Sequence, residues 1–256
     1  MSFRLLLFFS VMSFAKPIFA QSFESTPFFE ENFSGKRLND KTWGIDIAEF
    51  KGHNVFFTDR NYSIRKGILQ IKLRKQNYKK CSFTSSSIWT KPNTITFCYG
   101  KLMIRARIPA TKECRPAMWL KAKSSDNGIA GEIDLLEHWP MQDGFTYQTN
   151  FHLWGSLTNA ALGKHQQYPK VVKKHDLTQW HVYSVEMLKD KIAMKVDDVL
   201  VAQWGKDELP DWPSNIKYQL YLSLACSTWS TEHVKESKNL PLTMQIDWIK
   251  FYKLKN

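Results

Sequence analysis

The chain has 256 residues, of which 43% are hydrophobic and 14% aromatic, and it carries a formal net charge of +12. That length suits one large all-β domain, since sandwiches and barrels of roughly 200–250 residues commonly fold as a single unit. A basic protein attracts polyanions, but no recognised nucleic-acid motif is present and the lysines are scattered in short pairs such as Lys79-Lys80. We therefore predict no nucleic-acid partner and interpret the charge as solvated surface lysines or as attraction for another anionic partner.

The first 20 residues have the features of a secretory signal. Arg4 supplies the positive charge, residues 5–14 form an apolar stretch too short to span a bilayer, and a small-residue cleavage site ends at Ala20. We therefore divide the chain into a signal peptide, residues 1–20, and a single domain, residues 21–256. No later segment approaches eighteen apolar residues, and no cysteine for lipid attachment follows the cleavage site. The mature protein is expected to be secreted or periplasmic, monomeric and without a membrane partner.

Short segments of alternating apolar and polar residues dominate the rest of the chain, which is typical of strands. This pattern predicts strands over residues 66–74, 101–108, 132–137, 180–187, 191–196, 217–225 and 243–252. Turn-forming residues such as Pro92-Asn93 and Asp197-Asp198 separate them. We predict an all-β sandwich of two antiparallel sheets, curved so that one concave face forms a groove.

The most informative segment has the sequence GEIDLLEHWP, residues 131–140. Alternate side chains of a strand share a face, so Glu132 and Asp134 point one way while the aliphatic residues between them point into a core. Strict alternation would turn Glu137 toward that core, where an unpaired carboxylate is costly. A β-bulge between Asp134 and Glu137 would reset the phase and place all three acids on one surface.

Three carboxylates on one surface suit the hydrolysis of a glycosidic bond. Glu132 and Glu137 would lie four effective strand positions apart, roughly 13 Å along the strand. Side chains leaning together could bring the carboxyl groups to about 5–6 Å, near the separation in retaining glycosidases and below the roughly 6.5–9.5 Å of inverting enzymes. With Asp134 between them, at least one pKa should rise, which suits a general acid near neutral pH.

The segment EIDLLE, residues 132–137, resembles the signature of glycoside hydrolase family 16, in the longer, bulged form of that motif. Other segments resemble the family in the same order along nearly the whole mature chain, namely FEENFSG at 29–35, YGKL at 99–102, RARIP at 105–109, PAMWL at 116–120, WHVYSVE at 180–186, LSLA at 222–225 and DWIKFY at 247–252. The resemblance implies a β-jelly roll and cofactor-free catalysis. It makes Glu132 the nucleophile, Glu137 the acid/base, and Asp134 the carboxylate that orients or tunes the nucleophile.

The resemblance also implies four substrate-binding residues. Trp119, on the strand beside the catalytic one, could stack on a sugar next to the scissile bond, although a core position is the alternative. Trp139 could stack on the leaving-group side. His152 resembles a histidine on the strand after the catalytic one and could hydrogen-bond the acid/base region. Trp229 follows the LSLA strand and is similarly placed.

Two stabilising features follow from the same resemblance. Glu31 and Asp247 resemble a structural calcium site that some family members carry on the convex face. The chain has four cysteines, none in a CxxC spacing that would indicate a zinc or redox site, and their pairing cannot be deduced from sequence: Cys81, Cys98, Cys114 and Cys226. A Cys114–Cys226 bridge is the pairing favoured by the resemblance, and buried free thiols are the alternative.

The substrate is less well defined than the chemistry. The stretch before the catalytic strand, residues 126–131, lacks the Trp-Pro pair of many β-1,3-glucan-cleaving relatives, and Tyr147-Gln148-Thr149 looks more like relatives that act on galactose-containing chains. We predict a retaining endo-β-glycosidase that cleaves a polysaccharide, favouring β-linked galactose-containing glycans, including sulfated or sialylated ones. An endo-β-1,3-glucanase is the alternative. A transglycosylase and a glycan-binding protein of the same fold also stay open, although intact acids argue against the latter.

Overall fold

The computed structural model describes residues 22–122, 130–139, 144–154, 165–173, 175–209, 212, 215–226 and 238–255. The predicted signal peptide and Trp229 lie outside these ranges. No helix within them is long and apolar enough to cross a membrane. The described part of the chain is built from strands and one 3₁₀ turn, Lys206–Glu208.

The strands in chain order are β1 (Phe29–Glu31), β2 (Trp43–Ile45), β3 (Glu49–Phe50), β4 (Val55–Phe57), β5 (Tyr62–Arg65), β6 (Ile68–Tyr78), β7 (Cys81–Ser85), β8 (Ser87–Thr90), β9 (Gly100–Arg107), β10 (Arg115–Ala122), β11 (Ala130–Glu137), β12 (Thr146–Trp154), β13 (His165–Gln167), β14 (Lys170–Lys173), β15 (His181–Met187), β16 (Lys191–Val196), β17 (Val199–Gly205), β18 (Tyr218–Ala225) and β19 (Leu242–Lys253). Each of the seven segments predicted as strands overlaps an observed strand.

Two sheets face each other across the core. The larger has the order β17-β16-β15-β9-β19-β6-β7-β4-β3, with β1 beside β19 and β5 beside β6. The smaller has the order β13-β12-β11-β10-β18-β8-β2, with β14 beside β12. The pairings are antiparallel except for the parallel pair of β4 and β7. The predicted all-β sandwich is therefore confirmed.

The core follows from strand alternation. In the smaller sheet Leu120 of β10 pairs with Ile133 of β11 and with Leu220 of β18, and all three side chains are fully buried. In the larger sheet Ile104 and Ile249, on neighbouring strands, are equally buried. Burial of such apolar surface is the main favourable contribution to folding. The residues that alternate with Leu120 and Ile133 point away from the core, and these are the ones that form the site described below.

The four cysteines are present as thiols. Cys114 Sγ donates a hydrogen bond to the carbonyl oxygen of Pro109 at 2.6 Å, and Cys226 Sγ donates to the carbonyl oxygen of His53 at 3.1 Å. Burial raises the pKa of both thiols to about 12. The Cys114–Cys226 disulfide that the resemblance favoured is not present in this structure, in which each of the two sulfurs is directed at a main-chain carbonyl.

Candidate active site

The predicted bulge in β11 is present. Across the β11–β12 pairing, Asp134 lies opposite Asn150 and Glu137 opposite Gln148, so two residues of β11 face Thr149 alone. Across the β10–β11 pairing the register skips Leu135, since Asp134 pairs with Trp119 and Leu136 with Met118. Both leucines are buried. The extra residue turns the side chain of Glu137 to the face that carries Glu132 and Asp134, and all three acids line one groove.

Burial dominates the electrostatics of the acids. Desolvation, followed by the charge of neighbouring Asp134, raises the pKa of Glu132 to about 7, although His152 and Lys121 oppose the rise. Burial and the adjacent Glu137 raise the pKa of Asp134 well above its ordinary value, and a hydrogen bond between the two side chains contributes to the rise. A raised pKa was predicted for at least one of the three acids, and the pKa is raised at two of them, Glu132 and Asp134.

Arg115 forms an ion pair with Glu137. Its Nη2 donates to Glu137 Oε1 at 2.6 Å, and both side chains are largely buried. The guanidinium also lies over the ring of Trp139, 4.0 Å from the ring centre. Trp139 thus supports the arginine that holds Glu137. The described lining of the groove does not include Trp139, and its stacking on a sugar stays a prediction.

A chain of two histidines leads away from Asp134. His152 Nε2 lies 2.9 Å from Asp134 Oδ2, and His152 Nδ1 lies 2.6 Å from His165 Nε2. Burial lowers the pKa of both histidines. Neutral rings satisfy every contact if His165 Nε2–H donates to His152 and His152 Nε2–H donates to Asp134. His152 was predicted to bond near the acid/base residue; its actual partner is Asp134.

An aromatic row crosses the groove. Trp119 of β10, Tyr221 of β18 and Trp89 of β8 occupy directly paired positions on three neighbouring strands. The Trp119 and Tyr221 rings stack at 4.3 Å, and the Tyr221 and Trp89 rings at 6.2 Å. Asp46 fixes Trp89 by accepting a hydrogen bond from its Nε1 at 3.1 Å. The predicted groove position of Trp119 is confirmed, and the groove, with a volume of about 520 Å³, is large enough for several sugar units.

The side chains of the two predicted calcium ligands, Glu31 and Asp247, bind other groups of the protein. Glu31 accepts hydrogen bonds on both carboxylate oxygens, from the main-chain N–H of Phe33 at 2.8 Å and from Trp43 Nε1 at 2.9 Å. Asp247 pairs with Arg105. Calcium takes six to eight oxygen ligands, and no cluster of three ligand-type side chains within the described ranges includes either acid. The two side chains as placed do not fit a calcium site.

Several residues that line the groove or contact its histidine were not singled out from the sequence. They are Arg115, Lys121, Trp154, His165 and Tyr221. Two of them could have been predicted, because strand alternation from Trp119 places Arg115 and Lys121 on the same face. His165 could not have been predicted, because its contact with His152 depends on the pairing of β12 with β13.

Buried carboxylates in a groove with aromatic walls, on the outer face of a two-sheet sandwich, define a carbohydrate-cleaving enzyme of jelly-roll fold. The chain belongs to the glycosyl hydrolases of family 16, whose model matches residues 49–250. It is an endo-acting β-glycanase of that family. The family's chemistry requires no cofactor and retains the anomeric configuration.

Known relatives differ in their substrates. The chain is 25% identical over 247 residues to a β-glucanase of Rhodothermus marinus, covering 88% of this chain and 83% of that protein. It is 24% identical over 163 residues to a keratan-sulfate endo-1,4-β-galactosidase of Sphingobacterium multivorum, covering 61% of this chain and 37% of that protein.

Among solved structures, the catalytic domain of an endo-1,3-β-glucanase (laminarinase) from Thermotoga petrophila has a TM-score of 0.78 at 23% identity, with coverage of 93% of this chain and 100% of that one. A structure from work on endo-acting O-glycanases of the human gut microbiota, which initiate mucin breakdown, has a TM-score of 0.77 at 25% identity, with coverage of 90% and 91%. The predicted jelly roll is confirmed by these likenesses.

Proposed function

We propose that Glu132 is the nucleophile and Glu137 the acid/base of a retaining double displacement on a β-linked glycan. The observation that carries this assignment is the bulge, which turns Glu137 onto the face of Glu132. In the first step Glu132 attacks the anomeric carbon while Glu137 protonates the glycosidic oxygen, and the leaving sugar departs. In the second step Glu137 takes a proton from water, the water oxygen attacks the same carbon, and the bond to Glu132 breaks.

Asp134 is proposed to hold the proton that this cycle needs. In the free enzyme Arg115 donates a hydrogen bond to Glu137, and the first step requires Glu137 to carry a proton for the leaving oxygen. Asp134 is buried, its pKa is raised, and its side chain is hydrogen-bonded to Glu137. A proton on Asp134 can pass to Glu137 when substrate enters and displaces water from the groove. His152, which donates to the other side of Asp134, holds that carboxyl in position.

The proposed substrate is a β-linked galactose-containing glycan that bears anionic groups. Lys121 supports this choice. It is exposed, lines the groove and lies over the ring of Trp119, 5.4 Å from the ring centre. The other cation of the described lining, Arg115, is committed to Glu137. A sulfate or carboxylate on the sugar stacked against Trp119 would pair with Lys121, and the keratan-sulfate-cleaving relative acts on a substrate of that kind.

An endo-β-1,3-glucanase is the second candidate. It is supported by the β-glucanase of Rhodothermus marinus, which matches far more of the chain than the galactosidase does. A neutral glucan would use the same acids and the same aromatic row, but it has no anionic group that could pair with Lys121. Export from the cytoplasm, predicted from the leader, suits either polysaccharide.

A substrate panel separates the candidates. Reducing ends should be measured on laminarin, mixed-linkage glucan, agarose, porphyran, carrageenan, keratan sulfate and mucin glycans, with Glu132→Gln as the inactive control. We expect the highest kcat/KM on a sulfated galactose-containing chain, and Lys121→Met should lower that value far more than it lowers activity on desulfated chains, when both are measured above the pH at which Glu132 ionises. Highest activity on laminarin, with no greater loss in Lys121→Met on sulfated than on desulfated chains, would overturn the galactan proposal in favour of the glucanase.

The catalytic assignment has its own test. Proton NMR of early products should show the β-anomer first. Azide should rescue Glu137→Ala by attacking the glycosyl-enzyme, and it should not rescue Glu132→Ala with retained configuration. Early α-anomer would exclude the two-step reaction, and the converse azide result would exchange the two roles. Products longer than the substrate would identify a transglycosylase.

A further inference from the structure

A second cluster of chemically reactive side chains lies on the larger sheet, away from the groove. It consists of His175, before β15, His181, the first residue of β15, and Asp197, in the turn between β16 and β17. One nitrogen or oxygen atom from each residue lies within 4.8 Å of the other two. The rings of the two histidines are 5.3 Å apart. Two separate segments thus bring together two imidazoles and one carboxylate.

The hydrogen bonds around Asp197 fix its carboxylate. Asp197 has a φ of +49°, in the left-handed region that Asp and Asn adopt in tight turns. Its Oδ1 accepts a hydrogen bond from the N–H of Val182 at 2.8 Å, and its own N–H donates to the carbonyl oxygen of Val182 at 2.9 Å. These contacts leave Oδ2 directed at His181 Nδ1, 2.6 Å away.

The contact of the other ring nitrogen of His181 indicates whether a hydrogen lies between His181 Nδ1 and Asp197 Oδ2. Nε2 is 3.0 Å from the carbonyl oxygen of Asp176, and since a carbonyl can only accept, Nε2 carries the hydrogen. In a neutral ring Nδ1 then presents a lone pair to a carboxylate oxygen. Two acceptors cannot approach to 2.6 Å without a proton between them, so without metal this contact holds a hydrogen; a metal ion would replace that hydrogen, and Oδ2 would move outward to the roughly 3.3 Å that separates two ligand atoms of a tetrahedral metal. Histidine ligands of metals typically donate their other N–H to just such a carbonyl.

We propose that His175, His181 and Asp197 form a binding site for a zinc-type divalent transition metal, with water as the fourth ligand. Two imidazoles and a carboxylate suit zinc and its neighbours and do not suit calcium or magnesium, which prefer oxygen ligands alone. The segment that carries both histidines is anchored, because Leu177 accepts a hydrogen bond from Ile108 N–H at 2.7 Å and donates one to Gly144 at 3.1 Å. Bound metal would tie this segment to the β16–β17 turn and stabilise the larger sheet.

The test uses the whole mature protein, stripped of metal with a chelator and titrated with zinc chloride at neutral pH. Calorimetry should give one zinc per chain at this site, and zinc should raise the melting temperature. His175→Ala and Asp197→Asn should each weaken binding by at least about 100-fold. Asparagine keeps the oxygen that caps Val182 and tolerates the positive φ, so Asp197→Asn is expected to fold, and circular dichroism checks this. Cobalt substituted for zinc should show a visible spectrum that both variants lose.

The groove provides the control, because Glu132, Asp134 and His152 also converge closely enough to hold a metal. His152→Gln should leave the stoichiometry and the rise in melting temperature at the proposed site unchanged. The proposal is overturned if zinc binding survives Asp197→Asn and His175→Ala, or if it is lost only in His152→Gln. It is also overturned if the parent protein takes up no zinc at neutral pH; nitrogen NMR that shows His181 doubly protonated would then identify a proton, held between His181 and Asp197, as the reason.

Discussion

Thr149 donates its hydroxyl hydrogen to the main-chain carbonyl oxygen of Asp134 at 2.6 Å, inside the protein and opposite the bulge. The register shift begins directly after Asp134, so a side chain satisfies a carbonyl at the place where the regular ladder is interrupted. A buried carbonyl without a partner costs about 1–3 kcal/mol. The bond therefore stabilises the irregular backbone that presents Glu137.

Thr149→Val keeps the shape of the side chain and removes the hydroxyl. We expect the free energy of unfolding to fall by about 1–3 kcal/mol, and kcat to fall because Glu137 is less firmly positioned. Urea unfolding and steady-state kinetics measure the two effects. Thr243→Val, on the outer face of β19, serves as the control and should change stability by no more than about 0.5 kcal/mol. Equal stability of the Thr149 variant and the parent would contradict the role of this bond.

The pH dependence of the rate should report the raised pKa of Glu132. A nucleophilic carboxylate must be ionised, and burial raises the pKa of Glu132 to about 7. Because kcat/KM reflects the free enzyme, it should fall as the pH is lowered through about 7. The positive charge of Lys121 lowers the pKa of Glu132, so Lys121→Met should move this limb to higher pH on an uncharged substrate. A limb near the ordinary glutamate value of 4.5 in the parent would refute the assignment.

Ionised Glu132 should also destabilise the folded protein. A carboxyl group whose pKa is higher in the folded state than in the unfolded state favours folding below the unfolded pKa, here 4.5, and this contribution is lost as the pH rises through about 7. At about pH 8, Glu132→Gln should therefore be more stable than the parent by an amount on the order of 3 kcal/mol. Near pH 4 the two should unfold alike.

Urea unfolding at both pH values measures the difference, with exposed Glu24→Gln as the control that should show no pH-dependent gain. A Glu132→Gln variant that is less stable than the parent at pH 8 would show that ionised Glu132 is stabilised by its neighbours rather than strained by burial.

Changing the length of the bulge should separate packing from catalysis. Deleting Leu135, the residue that the β10 register skips, gives a Glu-x-Asp-x-Glu strand whose acids alternate without a bulge. The loss of one buried leucine should cost roughly 2–5 kcal/mol, and activity should fall but persist in the folded fraction. Inserting Ala between Leu135 and Leu136 should instead turn Glu137 toward the core and abolish activity. Full activity of the insertion variant would contradict the role of the bulge.

The sequence was sufficient for the features that depend on local alternation. The faces of Glu132 and Asp134 follow from a period of two, and the bulge follows from the cost of burying Glu137 among leucines. The same reasoning applied to β10 would have found Arg115, two residues before Ala117 and four before Trp119. The position of Trp119 in the groove was predicted from the family resemblance, and the structure confirms it.

Features that depend on distant strands could not be derived. The contact of His165 with His152 requires the register of β12 with β13, and the chain between them gives no indication of that pairing. The cysteines illustrate the same limit, because the proximity of Cys114 and Cys226 to one groove does not fix the direction of their side chains. The rise in pKa was expected with the acid/base residue in mind, yet the raised pKa values of Glu132 and Asp134 follow chiefly from burial, which sequence spacing does not contain.

The thiols directed at main-chain carbonyls have a practical consequence. Cys114 and Cys226 contribute to the fold as hydrogen-bond donors, and neither needs to be oxidised for its neighbours to be satisfied. The domain should therefore reach the same structure in a reducing bacterial cytoplasm as in an oxidising compartment. It should keep its activity in dithiothreitol, and the thiols of both residues, buried and with a pKa of about 12, should resist alkylation until the protein unfolds. The rate of thiol labelling then measures how often the sandwich opens around the groove.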